Sequence, residues 1–182
     1  MDRKQRFEVI YVAHYADILA YVRRRTESPE DAADALAETF ATAWRRFDDV
    51  PEGRDARLWL FGVARRVLAN GRRAESRRSE LVERLGQQLA LWVAESAQPG
   101  DELRGVREAF GRLSPGDREI LALAGWEGLS ADEIAAVLGC TRGNARLRLH
   151  RARKRLAKQL AARGVDVTRI GLRAVAMTKG AL

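Results

Sequence analysis

Residues 129–156, LSADEIAAVLGCTRGNARLRLHRARKRL, decide how the rest of the chain is read. Ser130-Ala131-Asp132-Glu133 has the form of a capping box, in which a serine hydroxyl accepts a free backbone N–H and a glutamate three residues on reaches back. Ile134, Ala135, Val137 and Leu138 follow at the spacing of a short helix's apolar face. Gly139 stands where the chain must turn, because glycine accepts a left-handed backbone without a Cβ penalty. Thr141 can then cap a second helix. A short helix, a glycine turn and a longer basic helix form the helix-turn-helix pattern.

The second helix divides into two faces. Ala145, Leu149, Ala152 and Leu156 fall on one side and are expected to pack on the preceding helices. Arg146, Leu147, His150, Arg151 and Lys154 point the other way, with Arg142 and Asn144 near the helix start. Arginine can bind guanine O6 and N7 with two hydrogen bonds, and leucine can offer methyl contact to thymine. Cations further along, Arg148 among them, neutralise phosphate and set the helix in place without reading sequence. A solvated basic face is the ordinary meaning of a charge run. It does not explain why residues 141–163 hold nine Lys/Arg and no acid, because an isolated helix gains from opposite charges four residues apart. A membrane-surface helix would need large apolar residues on the exposed face, which this one lacks.

The whole chain agrees with a polyanionic partner. Its 182 residues carry a net charge of +8, with an isoelectric point near 10.5, and 46% are apolar, enough to bury a core. The charge is unevenly placed: +3 over residues 1–78, −3 over 79–101, +6 over 102–163 and +2 over 164–182. Two basic modules joined by an acidic segment is the organisation this implies.

The periodicity is helical throughout. Phe7, Tyr11, His14, Ile18 and Val22 form one stripe, and Ser28-Pro29-Glu30-Asp31 reads as a helix start. The helix after it puts Leu36, Phe40, Ala43 and Phe47 on one face, and residues 48–55 read as a loop. A third helix is predicted over about 56–73, with Leu60, Val63 and Val67 on the apolar side and Gly62, Arg65, Arg66, Ala69 and Arg73 opposite. A further helix over roughly 79–100 would carry Leu81, Leu85, Leu89 and Trp92 before the linker signal Gln98-Pro99-Gly100. Leu103, Val106, Phe110 and Leu113 then repeat at helical spacing, and Ser114-Pro115-Gly116-Asp117 reads as a capping box opening a helix that carries Ile120, Leu123 and Ala124. The fold class expected is all-α, with two small helical domains and a linker between them.

Several classes of function drop out. One cysteine, Cys140, excludes an internal disulfide framework and a cysteine-rich zinc site, and a thiol without a resolving partner is weak ground for a redox sensor. His14 and His150 belong to no ligand set, no glycine loop cradles phosphate, and no nucleophile has a base. The expectation is a non-enzyme with no cofactor, metal or small-molecule substrate. The longest unbroken apolar run, Leu89 to Ala94, is six residues, so no stable membrane insertion is expected and the chain reads as a protein of a reducing cytoplasm.

These residues resemble the bacterial sigma-70 family of RNA polymerase sigma factors, and within it the extracytoplasmic-function (ECF) group. Leu129 to Ala135 with Gly143 to Arg153 resembles its region 4. Pro29-Glu30-Asp31-Ala32-Ala33-Asp34 through Phe40 and Trp44, and Trp59 to Arg65 through Arg72-Arg73, resemble its region 2. The resemblance covers roughly residues 5–160. It implies a region 2-like domain over 1–78 that meets core polymerase and the −10 element, an acidic linker over 79–101, a region 4-like helix-turn-helix domain over 102–163 that meets the −35 element, and a C-terminal tail over 164–182.

Residue by residue, the resemblance puts Arg142, Asn144, Arg146, Leu147, Arg148, His150, Arg151 and Lys154 on −35 DNA. It puts Arg54, Arg57, Arg65, Arg66, Asn70, Arg72 and Arg73 on −10 DNA, and Asp31, Asp34 and Glu38 against the polymerase clamp. Trp59 is read as core rather than as a base-stacking surface. The chain departs from the family pattern at Ala33, where an acid is common, at Ala37, where glutamine is common, and at Arg66, where asparagine is common. The resemblance also implies an anti-sigma factor between the two domains, with Leu89 and Trp92 as candidate contacts if they are not packed within the chain. Two rivals stand beside this reading: a stand-alone dimeric helix-turn-helix regulator, which needs an isologous surface and matched half-sites, and a protein-binding adaptor.

Overall fold

A computed structural model describes residues 2–74 and 101–165, and every regular element among them is a helix. The chain divides into two units, residues 1–81 and 82–182. The expected helix over 79–100, with Leu89 and Trp92, lies outside the described residues, as does the tail from 166.

In the first unit, α1 runs Arg3–Arg23, α2 Pro29–Arg45 and α3 Asp55–Ala74, with a single 3-10 turn at Phe47–Asp49. Ser28 caps α2 as expected: its hydroxyl accepts the Asp31 N–H at 3.0 Å, and the Asp31 carboxylate accepts the Ser28 N–H at 3.2 Å and its hydroxyl at 2.7 Å. An equivalent box formed by Asp2 and Gln5 starts α1. All three helices pack on one another, burying Ile18, Tyr21 and Val22 of α1, Leu36, Phe40 and Ala43 of α2, and Leu60, Phe61, Val63 and Ala64 of α3. Each large apolar side chain so buried contributes about 1.5–3 kcal/mol.

Three expectations need correction. α2 stops at Arg45, so Phe47 reaches the core from the 3-10 turn and not from the helix face. Gly62 lies on the buried side of α3, because without a side chain it follows the packing of its neighbours and not the polar stripe. The α1 stripe is fully buried only at Ile18 and Val22. Towards the N-terminus Tyr11 is exposed and Phe7 half-buried, in a ring cluster with Phe40, Trp44 and Phe47.

Two arginines that raise the charge count serve this core. Arg25 is buried, donates to the Tyr21 carbonyl at 3.1 Å and stacks 3.6 Å from that residue's ring centroid. Arg57 pairs with Asp17 at 2.6 Å and lies 4.9 Å over the Phe61 ring, tying α3 to α1. His14 is half-buried near this pair, and burial, more than the opposing pull of Asp17, lowers its pKa below the usual 6.5. The folded state therefore binds a proton less readily than the unfolded chain, so stability falls as pH drops below about 6.5 and through the folded pKa. Melting profiles of the first unit between pH 7 and pH 5 should slope downward towards acid, and His14→Gln should flatten that slope.

The second unit contains α4 (Asp101–Gly111), α5 (Pro115–Gly125), α6 (Ala131–Leu138) and α7 (Arg142–Ala161). Its core holds Val106, Ala109, Phe110, Ile120, Leu121, Leu123, Ile134 and Val137, with α7 packed on each of the other three helices. Arg118 is buried and donates from one nitrogen to the Gly111 and Leu113 carbonyls at 3.1 and 3.0 Å, meeting acceptors that the end of α4 leaves open. Ser114 does cap α5, accepting the Asp117 N–H at 3.2 Å. The return half of the expected box differs: Asp117 accepts the Ser114 hydroxyl at 2.9 Å and turns its other oxygen to Arg155 at 2.8 Å.

Candidate nucleic-acid interface

The helix-turn-helix is built by the signals that announced it. Ser130 and Glu133 form the reciprocal box at the start of α6. Gly139 takes φ 64° and ψ 43°, the left-handed conformation, and the Cys140 N–H closes the turn on the Ala135 carbonyl at 3.0 Å. Thr141 then caps α7 through the Asn144 N–H at 3.3 Å. Ala145, Leu149, Ala152, Leu156 and Leu160 are buried along one stripe of α7. That stripe turns Arg146, Leu147, His150, Arg151 and Lys154 to solvent on the other side, with Asn144 also exposed.

The cations of α7 are not equivalent. Arg142 is tied back across the turn to Asp132 of α6 at 2.6 Å. Arg155 pairs with Asp117 of α5, and Arg148 lies half-buried near Gly116. Arg153 is half-buried, and burial lowers its guanidinium pKa from the usual arginine value. The exposed set is thus centred on residues 143–154. The pairs made by Arg142 and Arg155 reach across to other helices, the second over 38 residues, and carry no signal in the helical periodicity.

In the first unit Arg54 is exposed on the loop before α3, while Arg66 and Asn70 are exposed and Arg65 half-buried along that helix. Arg72 and Arg73 fall in its last turn. Arg57 departs from the expected set, because its guanidinium is held by Asp17. Trp59 is half-buried, neither the core residue expected nor a free ring, with the Arg46 guanidinium 6.0 Å from its centroid. On α2, Asp31, Asp34 and Glu38 are all exposed. Asp31 is engaged in its cap, and Glu38 pairs with Arg45, whose hydrogen bond and charge lower the glutamate's pKa below 4.5. Among the described residues no group of three or more His, Cys, Asp or Glu could hold a metal, and no helix is long and apolar enough to cross a membrane.

Comparison with known proteins matches both units. Residues 10–78 match the family described as Sigma-70 region 2, and residues 103–156 match Sigma-70, region 4. The RNA polymerase sigma factor CnrH of Cupriavidus metallidurans is 34% identical over 161 residues, covering 82% of this chain and 84% of that protein. The chain belongs to the sigma-70 family. Within it, this sigma factor is of the ECF group: ECF RNA polymerase sigma factor SigL of Mycobacterium tuberculosis is 29% identical over 86% of this chain and 89% of its own length. The solved structure of CnrH in complex with the cytosolic domain of CnrY matches with a TM-score of 0.61 and 27% identity, covering 87% and 90% of the two chains. A second structure, RpoE with the anti-sigma factor NepR from Bartonella quintana, has the same fold, with a TM-score of 0.56 and coverage of 87% and 96%.

Proposed function

We propose that this sigma factor joins core RNA polymerase in the cytoplasm and, without catalytic activity of its own, directs promoter recognition and transcription initiation. The observation that carries the reading is the pair of matches, region 2 then region 4, on a chain whose second unit presents an acid-free helix face. In this reading the outward side of α7 meets −35 DNA through Asn144, Arg146, Leu147, His150, Arg151 and Lys154, with Arg142 and Arg148 at its edges. Arg54, Arg65, Arg66, Asn70, Arg72 and Arg73 carry the −10 contact, and Arg57 supports them from within the fold. Asp31, Asp34 and Glu38 face the polymerase. An anti-sigma factor is the expected regulator, by analogy with CnrH and its partner CnrY.

Co-elution of the purified chain with bacterial core RNA polymerase on a sizing column tests this. Stoichiometric comigration is expected. Asp34→Lys with Glu38→Lys should weaken the complex by about tenfold, since each exposed contact is worth up to about 1 kcal/mol and reversal adds repulsion. A chain that stays free of active core and shifts duplex DNA as a dimer would overturn the reading in favour of a stand-alone regulator.

A further inference from the structure

A single apolar side chain stands at the centre of the cationic α7 face, and the glycine one turn before it packs against nothing. Leu147 is 46% exposed, the large apolar side chain left open among the described residues of its unit. At 100° per residue it points away from the buried stripe of Ala145, Leu149 and Ala152. Exposed Arg146, His150, Arg151 and Lys154 surround it. A leucine there leaves nearly half its surface in water, and a lysine would serve the helix as well. Gly143, four residues earlier on the same side, is also unexplained by the protein. It is not among the positive-φ glycines, and a Cβ placed on it would meet nothing within 4 Å. Gly143 is the second residue of α7, where an alanine would fit the helix equally well and meet no neighbour, so nothing in the fold calls for the bare backbone, which lies open to close approach from outside the chain.

We infer that Gly143 and Leu147 form a thymine-reading notch: the bare backbone at Gly143 lets the base edges approach, and the Leu147 side chain packs on a thymine C5-methyl group in the major groove. The inference rests on the −35 reading above. The cationic ring fits it, because phosphate contacts set the register while an apolar contact at the centre distinguishes thymine, whose methyl group cytosine lacks. Arg142, held by Asp132, is placed to flank this notch and not to fill it.

The test uses the full chain on bacterial core polymerase. Promoter duplexes randomised in the −35 region are selected for binding, and each enriched thymine is then replaced by deoxyuridine, which removes only the methyl group. The wild-type holoenzyme should lose about fourfold in affinity at one thymine, the factor that burying one methyl supplies. Leu147→Ala should bind more weakly and lose that discrimination, while Leu147→Met keeps part of it. Gly143→Ala should melt no lower than wild type yet bind more weakly. Indifference of the wild type to deoxyuridine at every position, or an undiminished penalty in Leu147→Ala, would overturn the inference and leave the −35 reading intact. Failure of the holoenzyme to enrich any sequence would overturn both.

Discussion

Replacing Arg146 and Arg151 together by alanine is expected to cut −35-dependent transcription by about thirtyfold or more, taking about 1 kcal/mol as the lower bound for each arginine. Both side chains are exposed, and neither is needed to close the core that Ala145, Leu149 and Ala152 form behind them. Alanine is also the better helix former, so α7 should persist. The loss should therefore appear in DNA binding and not in thermal stability or in comigration with core polymerase. Its salt dependence gives a second readout. Where the arginines neutralise phosphate, the slope of log affinity against log salt should fall by about 1 for each one lost. A fall in affinity with an unchanged slope would place them on base edges instead. Promoter-dependent transcription that survives the double change untouched would show that the outward face of α7 is not the reading surface.

The parts of this molecule legible in the sequence are those made by neighbours in the chain. The boxes at Ser28 and Ser130, the left-handed turn at Gly139 and the two faces of α7 all depend on residues within a turn or two of one another. Helical spacing and the chemistry of free N–H groups then suffice. The misreadings arise where a distant partner decides. Phe47 looks like the next step of the α2 stripe, but the helix ends first and a tight turn delivers the ring to the same core. Arg25, Arg57 and Arg118 count as surface charge in any composition. Arg57 is reassigned only when α1 is brought against α3, while Arg25 and Arg118 turn to carbonyls within seven residues that helical periodicity alone does not mark as acceptors. The same blindness covers Arg142, whose partner Asp132 lies ten residues back across a turn that must first form. In the candidate site, the sequence named the face, and the long-range ion pairs sort which of its cations remain available on it.

That sorting has an energetic counterpart in the first unit. Phe61→Ala is expected to destabilise it by about 3–5 kcal/mol, the range for removing a buried aromatic ring. Phe61 is fully buried, with its ring centroid 5.1 Å from that of Tyr21 and 4.9 Å from the Arg57 guanidinium. Losing the ring opens a cavity between α1 and α3 and removes the surface that steadies the Asp17–Arg57 pair, so the two losses should compound. For a domain of this size about 3 kcal/mol lowers the melting temperature by about 12 °C or more, a large share of its total stability. Phe61→Leu, which keeps an apolar side chain in most of the volume, should recover most of that loss. The second unit has its own core, so the full chain should melt in two steps, with only the first moved. Near the lowered transition, holoenzyme assembly and −10 opening should fail while duplex binding by α7 persists. A single transition that moves as one would instead show that the two units unfold together and overturn the expectation of separate cores.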